Sequence, residues 1–267
     1  IDKGLDLLVN ADLINQIERD ASRARISPTT DLVAAVSDAD FVVEAVADQL
    51  PVKQEIFQKL GTLTSEHTIL ASETSGLRMT DIARHTRQPE RCITTHNYTP
   101  PPLIPVVEVV PGERTNPAVV ETTCALLRHI GKEPVICKEV PGHIGVRLTT
   151  ALRREAYYIV EQGYATPEAV DTVLRSVARL LPVIGAFTMT DLSGLDVLRD
   201  VHRNIQPHLD HRPDPSPLLE NMVADGKLGV KSGEGFYDWS PEQVSEIFTA
   251  RGDELVRWMR KNPPTSL

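Results

Sequence analysis

Between residues 38 and 137, short apolar runs and amphipathic stretches take turns, and that alternation constrains the fold more than any other feature of the chain. DFVVEAV (40–46), TILAS (68–72), CITTH (92–96), VVEVV (106–110) and EPVIC (133–137) have the length and apolar character of strands. Between them, VKQEIFQKLGTL (52–63) sets Ile56, Leu60 and Leu63 on one helical face, and RMTDIARH (78–85) reads as a helix. NPAVVETTCALLRHIG (116–131) opens on Asn116 with Pro117 at the first helical position and stops at Gly131, as helices tend to. Upstream, the spacing of Leu5, Leu8, Leu13 and Ile17 predicts one helix over 1–20, and TDLVAAVS (30–37) predicts a short capped one. Strands separated by helices predict a mostly parallel α/β sheet.

After Pro141-Gly142 the texture changes. Helical periodicity runs through 144–162, 167–180, 190–205, 216–226 and 241–261, with GFYDW (235–239) the one candidate strand. QPHLDHRPDPSP (206–217) holds four of the 20 prolines and predicts a turn-rich connection. The expected organisation is an α/β part over 1–140 and an all-α part over 141–267. LTTALRREAYYIV (148–160) and VLRSVARLLPVIGAF (173–187) are apolar on more than one side. One helix buries one stripe against its own domain, so the surplus predicts a homodimer built by the helical half.

Composition removes several classes. A net charge of -9, from 28 basic and 37 acidic residues, lacks the chain-wide basic footprint of a nucleic-acid binder. No apolar run approaches ~18 residues, so no membrane-spanning helix is expected. Cys92, Cys124 and Cys137 are too few and scattered for a disulfide framework or a metal site, and read as free thiols in a reducing compartment. The N-terminus has no initiating Met and no signal-peptide pattern; it reads as a helix already in progress. The expectation is a cytoplasmic protein whose chain begins inside a longer one.

Three places can carry chemistry. In TTHNYTPPPLIPVVEVV, His96 ends an apolar strand, prolines at 100, 101, 102 and 105 force a rigid extended connection, and Glu108 lies within a valine strand. Val106, Glu108 and Val110 share one face. A carboxylate between valines is costly without a partner, and the imidazole on the preceding strand is the nearest attractive one. Such a pair fixes the tautomer and makes the second nitrogen a better base. The alternative is a solvent-facing Glu on an edge strand. In ILASETSGL, Ser72, Thr74 and Ser75 follow a strand's C-terminal end, where open α/β sheets place ligands; their hydroxyls bind substrate or cap the helix near Met79. Asp48 and Lys53 follow another strand end and either contact a nucleotide's ribose and phosphate or form an ordinary polar turn. No G-x-G-x-x-G, P-loop, HExxH or GxSxG occurs, and the other histidines, including His143, form no convincing ligand spacing.

Taken in order, DADFVVEAV, VKQEIFQKL, TILASETSGL, TTHNYTPPPLIPVVEVV, the Lys-Glu-Val-Pro-Gly-His step at 138–143 and KLGVKSGEGFYDW (227–239) resemble the 3-hydroxyacyl-CoA dehydrogenase family. IPVVEVVPGERT and the tail look closer to its lambda-crystallin/gulonate and pyridine-carboxylate dehydrogenase branches. The resemblance implies a Rossmann-type parallel sheet followed by a helical dimerisation domain. It also implies NAD-dependent oxidation of a secondary hydroxyl to a ketone or the reverse, with NADP left open. The substrate would be a small hydroxy or keto compound, an acyl-CoA thioester of fatty acid metabolism among them. The family's base falls on His96, its partner carboxylate on Glu108, its substrate-contacting serine on Ser75, and its nicotinamide-side positions on Asp48 and Lys53. The family's opening strand and glycine-rich turn lie before residue 1, so a missing N-terminal segment is expected. The substrate-binding Asn of P-G-F-x-x-Asn-Arg is replaced, since the run reads PGHIGVRL and Val146 takes its place. Thr99 stands for another family Asn, and VIGAF (183–187) for Met-Gly-Pro. These departures imply a remodelled pocket. Two other readings stay open: a redox-inactive relative used for binding or structure, and a lyase or decarboxylase reusing the His–Glu pair.

Overall fold

Apolar side chains that alternate along the strands need cover on both sheet faces, and the chain supplies it. The computed structural model describes residues 1–261. In chain order the first elements are α1 (Asp2–Asn10), α2 (Gln16–Ala24), α3 (Leu32–Val36), β1 (Phe41–Glu44), α4 (Leu50–Leu63), β2 (Ile69–Ser72) and α5 (Met79–Ile82). There follow β3 (Cys92–Asn97), β4 (Val106–Pro111), α6 (Pro117–His129) and β5 (Glu133–Ile136). The helical half comprises α7 (Gly145–Glu161), α8 (Pro167–Val177), α9 (Leu181–Ser193), α10 (Leu195–Ile205), α11 (Pro217–Ala224) and α12 (Pro241–Lys261).

The five strands form one sheet in the order β1-β2-β3-β4-β5. All pairs are parallel except β3–β4, which is antiparallel. On one face Leu70 and Cys92 pack with Val36, Phe57, Leu60, Met79 and Ile82 from α3, α4 and α5. On the other, Ile69, Ala71, Ile93, Val107 and Val109 meet Cys124 and Leu127 of α6. The alternation of residue numbers between the two clusters is the period of two seen in the sequence.

The helices begin and end where side chains satisfy orphan backbone groups. Asp31 accepts from the N–H groups of Val33 and Ala34 at 2.9 and 3.3 Å, and Asn116 from Ala118 at 2.9 Å. The single helix expected over 1–20 is two. Asp12 takes a left-handed φ of 53°, and Asn15 with Glu18 forms a capping box that starts α2. The apolar spacing ran on across the break because Asn15 competes with the helix through its own side chain. RMTDIARH makes one α-turn and a 3₁₀ turn. α9 starts at Leu181, earlier than expected, and carries a non-helical Gly185 at φ 65°. GFYDW forms isolated bridges from Glu234 to Gly229 and Asp238, with no strand.

The chain divides into two compact units, 1–147 with 246–261, and 148–245. The second unit is tied together by polar contacts. Arg212 donates to Glu161 at 2.7 and 3.1 Å and to Asp210 at 2.9 and 3.0 Å, while the Ser216 hydroxyl donates to Glu161 at 2.8 Å. These bonds organise the proline-rich connection. Tyr237 donates to Asp171 at 2.8 Å, and Tyr157 stacks on Phe236 at 5.7 Å between ring centres. The span from Pro167 to Ser193 is long and apolar enough, by length and composition, to cross a membrane. The expectation from unbroken apolar runs did not register it, because scattered charges such as Arg179 and Asp191 interrupt it.

Candidate active site

Antiparallel pairing of β3 with β4 sets His96 directly opposite Glu108. Directly opposed residues point to the same face, so imidazole and carboxylate have to meet. His96 Nδ1 lies 2.8 Å from Glu108 Oε2, and both side chains are buried. β4 runs between β3 and β5. Glu108 is therefore on an interior strand, and the edge-strand alternative does not apply.

The carboxylate has further donors. The backbone N–H groups of Ile144 and Gly145, where α7 begins, donate to Oε1 at 2.8 and 2.9 Å, and the Tyr98 hydroxyl bonds to the same group. Burial works to raise the Glu108 carboxyl, but the bonds from His96, Gly145, Tyr98 and Ile144 outweigh it and hold the group below the usual carboxylate range. Glu108 is thus an ionised carboxylate in a buried setting. It accepts Nδ1–H, fixes the His96 tautomer and leaves Nε2 as an acceptor.

Two rings flank His96. Tyr98 lies 4.8 Å away between ring centres and His143 5.9 Å away. Burial and the bond to Glu108 push the Tyr98 phenol up. His143 is buried, takes a left-handed φ of 47°, and makes one long contact from Nε2 to the Thr74 carbonyl at 3.4 Å. Its Nδ1 is buried with no partner among the described residues. Burial pushes the His143 pKa down despite the pull of Glu108.

The loop after β2 separates the roles left open among its hydroxyls. Thr74 Oγ1 accepts from the N–H of Leu77 at 3.0 Å and donates to Asp48 Oδ1 at 2.6 Å, so Thr74 builds the turn. Ser72 donates to Glu44 Oε2 at 2.7 Å, inside the sheet. Ser75 is exposed. Arg78 occupies the cap position of α5 without a side-chain cap bond.

At the end of β1, Asp48 is an exposed carboxylate (side chain 44% accessible) steadied by Thr74. Lys53 is buried: its Nζ donates to Glu44 at 2.7 and 3.0 Å and lies 3.8 Å from Asp48. Glu44 also accepts from the Val46 N–H at 2.6 Å. A polar, partly exposed carboxylate at the C-terminal end of a parallel strand suits ribose hydroxyls. The residues present therefore fit the nicotinamide side of a dinucleotide. Val146, in the first turn of α7, is half-buried.

Sequence reasoning missed Glu44, Tyr98, His143 and Gly145. Glu44 carried the same signal as Glu108, a lone carboxylate in an apolar strand. His143 stands where the P-G-F pattern has a phenylalanine. Tyr98 and Gly145 had no pattern to mark them, since their meeting depends on how the start of α7 packs on β3 and β4.

Comparison with known proteins identifies the family. Residues 1–140 match the 3-hydroxyacyl-CoA dehydrogenase NAD binding domain, and 142–239 match the C-terminal domain of 3-hydroxyacyl-CoA dehydrogenase. The 5-formyl-3-hydroxy-2-methylpyridine 4-carboxylate 5-dehydrogenase of Mesorhizobium japonicum is 37% identical over 230 residues, covering 85% of this chain and 74% of that protein. The mitochondrial hydroxyacyl-coenzyme A dehydrogenase of Mus musculus is 37% identical over 216 residues, covering 80% and 68%. A crystal structure of a 5-formyl-3-hydroxy-2-methylpyridine 4-carboxylic acid 5-dehydrogenase, described as an NAD⁺-dependent dismutase, superposes with a TM-score of 0.84 at 37% identity, covering 87% of this chain and 76% of that one.

Proposed function

The chain belongs to the 3-hydroxyacyl-CoA dehydrogenase family, and from that premise we propose that it oxidises a secondary hydroxyl to a ketone, or reverses this, with His96 as general base. The observation that carries the assignment of the base is the 2.8 Å contact between His96 Nδ1 and Glu108. With Nδ1–H held by the carboxylate, Nε2 takes the proton of the substrate hydroxyl. The imidazolium that forms is stabilised by Glu108, which the two backbone N–H groups keep ionised. NAD, when bound, supplies the hydride acceptor. Asp48 would hold the nicotinamide ribose, and Lys53, 3.8 Å away, would orient Asp48. The exposed Ser75 hydroxyl orients the substrate oxygen, a task for which the Val146 side chain has no polar group. The substrate is a small hydroxy or keto compound, and acyl-CoA thioesters are one class within it.

We further propose a homodimer. α8, α9 and α10 each expose large apolar side chains, Val173 and Val177 one helical turn apart on α8, Val183 and Phe187 on α9, and Leu195 on α10. A second copy covers these side chains, in preference to lipid, because Glu168, Asp171, Arg175 and Arg179 are interspersed along α8 and its 3₁₀ continuation. The three free cysteines suit a reducing, cytoplasmic setting.

The experiment uses the full-length protein with NAD and a panel of hydroxy compounds, 3-hydroxybutyryl-CoA included. Turnover that disappears in His96→Gln supports the proposal. Wild-type turnover in that variant overturns the general-base role. Light scattering should give twice the monomer mass, and a monomer at micromolar concentration overturns the dimer.

A further inference from the structure

Glu108 is shared. His96 binds Oε2, while the N–H groups of Ile144 and Gly145 bind Oε1. The Tyr98 hydroxyl joins the same carboxylate. The Tyr98 ring also lies against His96, at 4.8 Å and tilted by 57°. One residue therefore touches both members of the pair, the imidazole with its ring and the carboxylate with its hydroxyl.

Gly145 records what this arrangement demands. A Cβ at Gly145 would lie 1.9 Å from the Tyr98 oxygen and 2.7 Å from Cζ, distances at which atoms overlap. The φ of Gly145 is not in the left-handed region, so its conformation does not call for glycine. Space for the phenol does. The hydroxyl is thus seated over the first residue of α7, beside the N–H that binds Glu108.

We propose that Tyr98 is a positioning residue for the His96–Glu108 pair, and that Gly145 is glycine to admit it. The assignment rests on His96 being the general base. Each donor on Glu108 takes up part of the charge that the carboxylate would otherwise offer to the imidazolium. The phenol therefore tempers how basic His96 becomes, while the ring limits how far the imidazole turns. The titratable groups around His96 are Glu108 from β4, Tyr98 from its own segment, and His143 from the turn before α7, which burial keeps neutral. Burial, with the Glu108 charge adding to it, pushes the Cys137 thiol after β5 up, so it too stays uncharged.

The test is Tyr98→Phe, which keeps the ring and removes the hydroxyl. NMR titration of the His96 imidazole should move upward by about half a pH unit or more, and the acidic limb of the kcat/KM profile for hydroxyl oxidation should move with it. The NMR measurement needs no turnover. An unchanged His96 titration overturns the Tyr98 assignment while leaving the general base intact, whereas wild-type turnover in His96→Gln removes the base itself. Gly145→Ala provides the second measurement. It should lower kcat at least tenfold beside Tyr98 and less than threefold in a Tyr98→Ala background. An equal loss in both backgrounds overturns the steric link.

Discussion

The two units differ in whether they bury an apolar core. In the α/β unit, Phe57, Leu70, Ile93, Val107 and Val109 are sealed from solvent on the two faces of one sheet. Within 148–245 the only fully buried residues are Asp210 and Ser216, both polar, while Phe187 is 88% exposed and Leu192 73%. The first unit covers the middle of its sheet with α3, α4 and α5 on one face and α6 on the other, while Val43 and Ile136 on the edge strands stay exposed. The second has folded around ion pairs and turns and still presents apolar surface. A helix whose apolar stripe exceeds what its own domain can cover is complete only in an assembly. The chemistry follows the same division, since the His–Glu pair sits on the two interior strands of the unit that has a buried apolar core, which holds the two side chains in fixed register.

The largest effect expected is local to the α/β unit. His96→Ala should lower turnover by about 10² to 10⁴-fold, the usual worth of a positioned general base, with the fold retained. Steady-state kinetics beside circular dichroism measures both, and an unfolded variant would blur the division between site and core.

The next pair of changes tests the comparison directly. Phe57→Ala should cost about 3–5 kcal/mol in denaturant unfolding, because it leaves a cavity in a closed core. Phe187→Ala should cost under about 0.5 kcal/mol in the monomer, as for other exposed positions, and should weaken association instead. Equal costs at the two positions would erase the distinction between the units.

Val146→Asn should raise turnover of 3-hydroxybutyryl-CoA about tenfold, the equivalent of ~1.4 kcal/mol of barrier. Robust activity without the substitution, or no gain from it, would mean that Val146 does not limit the pocket.

The smallest effect belongs to one of the buried polar atoms in the α/β unit that lack a partner among the described residues, with Thr86, Arg91, Thr94 and Thr123 holding the others. His143 buries an unpartnered Nδ1, and His143→Phe should raise stability by about 1 kcal/mol by removing it. Burial holds the folded His143 below its ordinary 6.5, so the unfolded chain takes up the proton first. The protein should therefore lose stability as pH falls from 6.5 through the folded value. That part of the loss should vanish in His143→Phe, as unfolding at several pH values would reveal.

Much of the site was legible because its signals are local. A period of two in VVEVV put Glu108 among valines, and a strand-ending imidazole twelve residues earlier could reach it across a hairpin. Lys53 shows the limit. Sequence put it at a helix start beside a strand end, and the fold turned it inward onto Glu44, a carboxylate that only the packing of α4 on β1 brings near. Likewise the apolar spacing over 1–20 described two helices as one, since periodicity ignores what Asn15 does with its own backbone.

Sequence alone determined the alternation of strands and helices over 38–137, the change of texture after Pro141 and the family, and it offered the pairing of His96 with Glu108 as one of two readings that the sheet order then decided. Each is written in spacings of a few residues or in motifs read along the chain. Tertiary structure alone decided that Ile144, Gly145 and Tyr98 would share the Glu108 carboxylate, that Thr74 would build the turn and leave Ser75 exposed, and that His143 would be buried beside the base. Those contacts join segments tens of residues apart. Local periodicity fixes which face a side chain takes, whereas the way one element packs on another fixes which side chains meet there.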